Sequence, residues 1–315
     1  MLKKYADCIG VSGYESKIVN TLFDIISKYD IDDIYIDNVG NLICFKKGSK
    51  SNKKIMISAH VDEVGIQIIK EINNEEYRFK CLGNIKTWNL CQNRMKSDNS
   101  IGVVYTINEG DLSAYNYENL VFKNLSNNKI KIGEVFTFAD ELIESEDSYC
   151  GKALDNRISV YILSEILKNE LKPVEDVYFV FTVQEEIGMR GIRVAKTNIC
   201  PNICLTVDVT NIGKMNSVEI QKGVCIKVSD SLGVTNYELV KKIGKIADDG
   251  GIVYQYEVSD NGTTEMIITN EKDNGCKEIG ISIPCEYIHT ANTIVSKFDV
   301  HECEKLLKLI MISEL

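Results

Sequence analysis

After the Ser12-Gly13 turn signal, apolar residues recur at Ile18, Val19, Leu22, Ile25 and Ile26, close to helical spacing, which predicts a helix over 15–28. Two short β-like runs follow, Asp33 to Asp37 and Asn41 to Phe45, joined through Asn38-Val39-Gly40. Lys54 to Ala59 is a compact apolar run that predicts a buried strand. From about Gln67 to Cys150 the texture changes. Runs are short and alternating, separated by Gly, Asn, Asp and Ser, as in Tyr77 to Leu82, Ser100 to Ile107 and Lys129 to Phe138; this predicts a small all-β module. After Cys150 longer periods return, with helices expected over 158–167, 237–247 and 300–312 and buried strands over 177–183 and 203–207. Strands alternating with helices predict an α/β fold, a mixed, mainly parallel sheet flanked by helices. Its domain is discontinuous, residues 1–66 plus 151–315, interrupted over 67–150 by an inserted small all-β, barrel-like domain.

Composition narrows the class. The chain has 315 residues, room for about two domains, with 36 Lys+Arg against 46 Asp+Glu and a net charge of -10. Nucleic-acid and anionic-membrane partners are therefore not expected, because phosphate contacts need clustered Lys and Arg. With 44% hydrophobic and 26% charged residues, disorder and collagen-like structure are excluded. No apolar run approaches the ~18 residues of a membrane span. Lys3 and Lys4 have no apolar segment behind them, so no signal peptide is read and a cytoplasmic location is expected. The 11 cysteines include no C-x-x-C pair and read as reduced, mostly buried thiols rather than a structural zinc site.

Candidate chemistry lies at the ends of apolar strands. Three segments share one arrangement: Ile55 to Ala59 leading to His60 and Asp62, Val177 to Val183 leading to Glu185 and Glu186, and Leu205 to Val207 leading to Asp208. Ligands of open α/β sheets sit beyond the carboxyl ends of strands, and His with carboxylate oxygen is the natural donor mixture for zinc, cobalt or manganese. His60 and Asp62, two apart, point to one side, so Asp62 can fix the imidazole tautomer; an incidental turn histidine is the alternative. Glu185 and Glu186 face opposite ways, so one can bind metal while the other holds a proton, although a solvated strand end would look the same. Asp155, in Gly151-Lys-Ala-Leu-Asp155, stands where a helix N-cap is expected. Asp208 can be a turn former, and His289 a satisfied half-buried histidine. The joint pattern outweighs these separate alternatives. Only three histidines exist, two fall in these segments, and His301 fits an exposed first turn of the last helix. His, Asp, Glu, Asp and His supply five ligands and leave two carboxylates spare, the number two ions sharing a bridging carboxylate need.

Together Ser58-Ala-His-Val-Asp-Glu-Val-Gly65, Gly151-Lys-Ala-Leu-Asp155, Glu185-Glu186-Ile-Gly-Met-Arg-Gly191, Asp208 and Tyr287-Ile-His289 resemble the M42 family of metallo-aminopeptidases, the glutamyl or tetrahedral aminopeptidase family. The opening Gly10-Val-Ser-Gly-Tyr-Glu15 is similar as well, and the resemblance covers essentially the whole chain. Related two-metal families share the ligand order, but the insertion between Asp62 and Asp155 is placed as in M42. The resemblance implies His60 and Asp208 on one metal, Glu186 and His289 on the other, and Asp155 bridging them. It implies Glu185 as general base and Asp62 as the partner of His60. It further implies two divalent ions per chain, zinc first with cobalt or manganese as alternatives, short peptide substrates cut at the N-terminal residue, and a homo-oligomer between dimer and dodecamer. Deacylation of another amide, or a dead metal-binding scaffold, are the alternatives. Three departures bear on the substrate pocket: Asn156 where Asp is usual, Thr290-Ala-Asn-Thr293 after His289, and Gly262-Thr-Thr-Glu265 with Thr264 for Asp.

Overall fold

The structure, a computed structural model, describes residues 1–107, 117–213, 217–268 and 275–315. Its larger unit is built on an 11-stranded sheet. The strand Lys54–His60 directs Ile55, Ile57 and Ala59 to one face and Met56, Ser58 and His60 to the other, all of them buried. A strand covered on both faces reads as one apolar run, which is why its sequence shows little alternation. Asp176–Thr182 and Ile203–Asn211 lie parallel on either side of it, and Lys277–Glu286 lies parallel beyond Ile203–Asn211. The parallel character expected from the sequence is thus concentrated at the centre. Leu42–Lys46 and Asp33–Ile36 extend one side antiparallel, and Thr293–Ser296, Ser148–Gly151 and Ile143–Glu144 extend the other. Val224–Ser229 also pairs antiparallel with Lys277–Glu286 and carries Tyr254–Val258 parallel to itself.

Helices Ser16–Ile26, Leu154–Lys168, Tyr237–Asp249 and Lys297–Met311 contribute to the main core, where Leu22, Leu163, Ile243 and Leu307 join Ile57, Val207 and Ile281. On the opposite face helix Arg190–Ile199 brings Ile192, Ala195 and Ile199 against Met56, Val180 and Cys204. The smaller unit is a closed antiparallel barrel of Gly65–Glu71, Glu76–Leu82, Leu120–Asn124, Ile101–Thr106, Arg94–Lys96 and Val135–Phe138. Its core holds Ile66, Tyr77, Phe122 and Phe136, and also Ala291 from the far end of the chain.

Several elements differ from the sequence expectation. Strands Ile143–Glu144 and Ser148–Gly151 fall inside the 67–150 segment yet pair within the large sheet. Of Lys129 to Phe138 only Val135–Phe138 is a strand, because Gly133, at φ 89°, turns the chain before it. The central strand Lys277–Glu286, which carries Gly280 and Pro284, was not anticipated from the sequence. Lys227 approaches so closely that a β-carbon on residue 280 would lie 2.9 Å from its Cδ. Strands Val224–Ser229 and Tyr254–Val258 and helix Arg190–Ile199 were likewise not anticipated. None of the 11 cysteines is in a disulfide, and His301 is exposed near the start of helix Lys297–Met311.

Candidate metal centre

Register fixes the site. Thr182 pairs with His60 and Thr206 with Ser58, so His60, the segment after Thr182 and Asp208 meet at one carboxyl edge of the sheet. Asp155 reaches the same edge from the start of helix Leu154–Lys168. It is not the N-cap: that position is Ala153, at φ 56°, and Asp155 and Asn156 keep non-helical backbone angles inside the first turn. Asn156 donates to the Val207 carbonyl at 2.8 Å, tying the turn to the Asp208 strand. An amide can make that bond and an ionised carboxylate cannot, which accounts physically for Asn156.

Asp155 stands between the two imidazoles. Its Oδ1 is 3.0 Å from His60 Nε2 and its Oδ2 is 3.0 Å from His289 Nε2. Asp208 Oδ1 lies 3.7 Å from His60 Nε2, and Glu186 Oε1 lies 3.1 Å from His289 Nε2. Donor atoms of His60, Asp155 and Asp208 fall within 4.8 Å of one another, as do those of Asp155, Glu186 and His289, and those of His60, Glu185 and Glu186. Two N/O clusters therefore share one carboxylate through its opposite oxygens. Glu186 Oε1 is buried, and its 3.1 Å ion-pair contact with His289 Nε2 does not close a hydrogen bond. An N/O donor set with a shared carboxylate and an unsatisfied buried oxygen fits a pair of divalent ions. All five expected ligands and Glu185 come together here.

Charges respond accordingly. Burial opposes a proton on His60, but Asp155, Asp208 and Asp62 outweigh it and hold the imidazolium well above its ordinary range. Burial likewise opposes His289, yet Glu186 and Asp155 push it up to about 11. For Asp155 burial is outweighed by hydrogen bonds from His289 and His60, and its carboxyl is lowered. Burial raises Glu185 well above the carboxylate range; His60 opposes the shift, while Glu186, Asp208 and Asp62 add to it. Glu186 and Asp208 are also raised by burial.

The supporting residues are buried and mostly escaped the sequence reading. Asp62 accepts from Glu185 N at 3.0 Å, Glu186 N at 3.1 Å and Ser12 Oγ at 2.6 Å, and its Oδ1 lies 3.4 Å from His60 Nδ1. Glu15 accepts from Gly13 N and Gln184 N, so three consecutive amides, 184 to 186, hang on two carboxylates. Glu63 accepts from Lys152 Nζ and Thr137 Oγ1 and lies 3.7 Å from Arg157, which clamps the Asp155 segment. His289 Nδ1 is paired with the Asn84 carbonyl at 3.0 Å. Thr290 and Thr293, two of the departures, close the His289 loop onto the Tyr287 carbonyl, and Thr264 N bonds to Asp230. Ala153, Gln184, Tyr287 and His289 all have φ between 53° and 59°, a strained region for non-glycine residues that tends to mark functional sites. The adjacency of Asp62 and Glu63 and the Gly10 to Glu15 motif were visible in the sequence; their partners were not.

The chain is similar to known aminopeptidases over nearly its whole length. A sequence profile described as M42 glutamyl aminopeptidase matches residues 40–109 and 122–306. A putative aminopeptidase of Acetivibrio thermocellus is 32% identical over 98% of this chain and 96% of its own length. The solved aminopeptidase APDkam598 of Desulfurococcus kamchatkensis superposes with a TM-score of 0.92 at 26% identity, covering 99% of this chain and 94% of that one. The Pyrococcus horikoshii TET1 peptidase, described as assembling into a tetrahedron or a large octahedral shell, has a TM-score of 0.87 at 24% identity over 99% and 98% of the two chains.

Proposed function

The chain belongs to the M42 glutamyl aminopeptidase family, and from that premise we propose that it releases single N-terminal residues from short peptides with Glu185 as the general base. It is a hydrolase, a metal-dependent aminopeptidase. The observation that carries the residue assignment is the placement of Asp155, one oxygen toward His60 and the other toward His289. In this assignment His60 and Asp208 hold one ion, Glu186 and His289 the other, and Asp155 both. Zinc is the first choice and cobalt or manganese the alternatives, since the donors suit all three.

Bound divalent ions would acidify a water and polarise the scissile carbonyl. The protein residues do the rest. Glu185, buried and raised, takes the proton of the attacking water and returns it to the leaving amine. Asp62 fixes the Glu185 backbone and the His60 ring at once. The preference for a free α-amine over a blocked terminus follows from the aminopeptidase family, with the carboxylates around the two ions available to meet the amine.

The likeness to assembling relatives supports a homo-oligomer, with the barrel used in assembly and in substrate access. Cysteines held outside disulfides support a cytoplasmic location, and among the described residues no helix is long and apolar enough to cross a membrane. Deacylation is not favoured, since the relatives compared are aminopeptidases. The test is a metal-reconstituted assay on matched peptides with free and acetylated N-termini. Cleavage of the free peptides alone supports the proposal; equal cleavage of the acetylated ones, or none of either, refutes it.

A further inference from the structure

We infer that the inserted barrel is a working part of the second metal cluster, setting His289 and Glu186 in place, while the His60 and Asp208 cluster stands without it. The inference rests on the two-ion assignment above and adds a dependence of one ion on the barrel. Three contacts carry it. First, the carbonyl of Asn84, just past the barrel strand Glu76–Leu82, pairs with His289 Nδ1 at 3.0 Å. This pairing places the proton on Nδ1 and leaves Nε2 directed at Asp155 and Glu186, the ring orientation a ligand needs. Second, Gly83 turns at φ 84° directly beside the other ligand. A β-carbon there would lie 3.3 Å from Glu186 Oε2 and 2.6 Å from Val64 Cγ1, so only glycine lets the turn come this close. Third, Ala291, two residues after His289, is buried in the barrel core rather than in the large sheet.

His289 itself sits at φ 59° on a loop closed by Thr290 and Thr293. A non-glycine residue stays in that region only when its surroundings hold it there, and here the barrel supplies the hold. By contrast, the described partners of His60 and Asp208 are Asp62, Asp155 and Val209, none of them in the barrel.

The experiment uses the full-length chain and zinc alone. Ion stoichiometry and stepwise affinity are measured for wild type, Gly83→Ala and His289→Ala. Gly83→Ala should keep one ion at wild-type affinity and bind the other ~10–100-fold more weakly, the usual cost of disturbing the partner of a metal ligand. The retained ion should match the one that His289→Ala keeps. A second measurement needs no variant: hydrogen exchange of wild type during zinc titration should show amides 83–90 gaining protection with one equivalent only, the one that His289→Ala fails to bind. Two ions bound to Gly83→Ala at wild-type affinity, both ions weakened together, or protection shared equally between the two equivalents would each overturn the barrel's role. A wild-type chain that saturates with one ion overturns instead the two-ion centre on which it rests.

Discussion

Replacing Asp62 by Asn tests how the glutamate pair is held. The side chain is fully buried and accepts hydrogen bonds from Ser12 Oγ, Glu185 N and Glu186 N, with His60 Nδ1 at 3.4 Å. Asn keeps one acceptor oxygen and gains an NH₂ group. Its best orientation keeps the oxygen toward Glu185 N and His60 Nδ1. The NH₂ then faces Ser12, whose hydroxyl can turn to accept, and Glu186 N, which cannot. One buried amide is orphaned and the remaining bonds lose their charge, together about 2–4 kcal/mol. A chain of 315 residues has an unfolding entropy of about 0.7 kcal/mol/K, so Tm should fall by about 3–6 °C. The His60 cluster should bind zinc ~10–100-fold more weakly because the imidazole loses its carboxylate partner. Metal-free calorimetry gives the first quantity and zinc titration the second. An Asp62→Asn chain with unchanged Tm and unchanged zinc affinity would refute the account of Asp62 given above.

Other outcomes follow from the same geometry. Glu185→Gln should keep both ions and lose ~10²–10⁴-fold in kcat, whereas Glu186→Gln should lose metal first and regain activity in excess metal; the reverse pattern would exchange their roles. Asp155→Ala should be the most damaging ligand change, and full occupancy of both sites by metal analysis would disprove the bridge. Because His60 and His289 hold their protons well above neutral pH in the metal-free chain, zinc loading at pH 7 should release at least two protons per chain, read from calorimetry in buffers of different ionisation enthalpy. Burial raises Glu265 from 4.5 to about 7, and the nearby Thr182 hydroxyl, the His60 charge and the Ser58 hydroxyl oppose the shift. The native chain then keeps a proton between those values that the unfolded chain has released, so stability falls as pH rises through the window. Glu265→Gln should remove that slope and stabilise the metal-free protein above pH 7 by up to ~3 kcal/mol; an unchanged pH profile in denaturant melts counts against it.

The sequence alone determined what depends on neighbours along the chain. His60, Glu185, Glu186 and Asp208 were legible because each follows an apolar run, and a strand end is a local feature. The barrel was legible as a change from long to short apolar periods, and the α/β part as their return. Asp155 was ambiguous, because an Asp before a helix looks the same whether it caps the helix or faces a metal. Only the non-helical turn at Asp155 and Asn156 separated the two. The strand Lys277–Glu286 was not legible in the local pattern, and its Gly280 is explained only by a lysine from another strand. The partners of Glu15, Glu63, Lys152 and Asn84 could not be read from adjacency, since these bonds reach residues 74 to 205 positions away. Buried polar groups must find partners wherever the fold brings one, and that choice is made by sheet register and domain docking, not by local pattern. The sequence therefore determined which side chains could do the chemistry, and the tertiary structure alone decided what holds them in place.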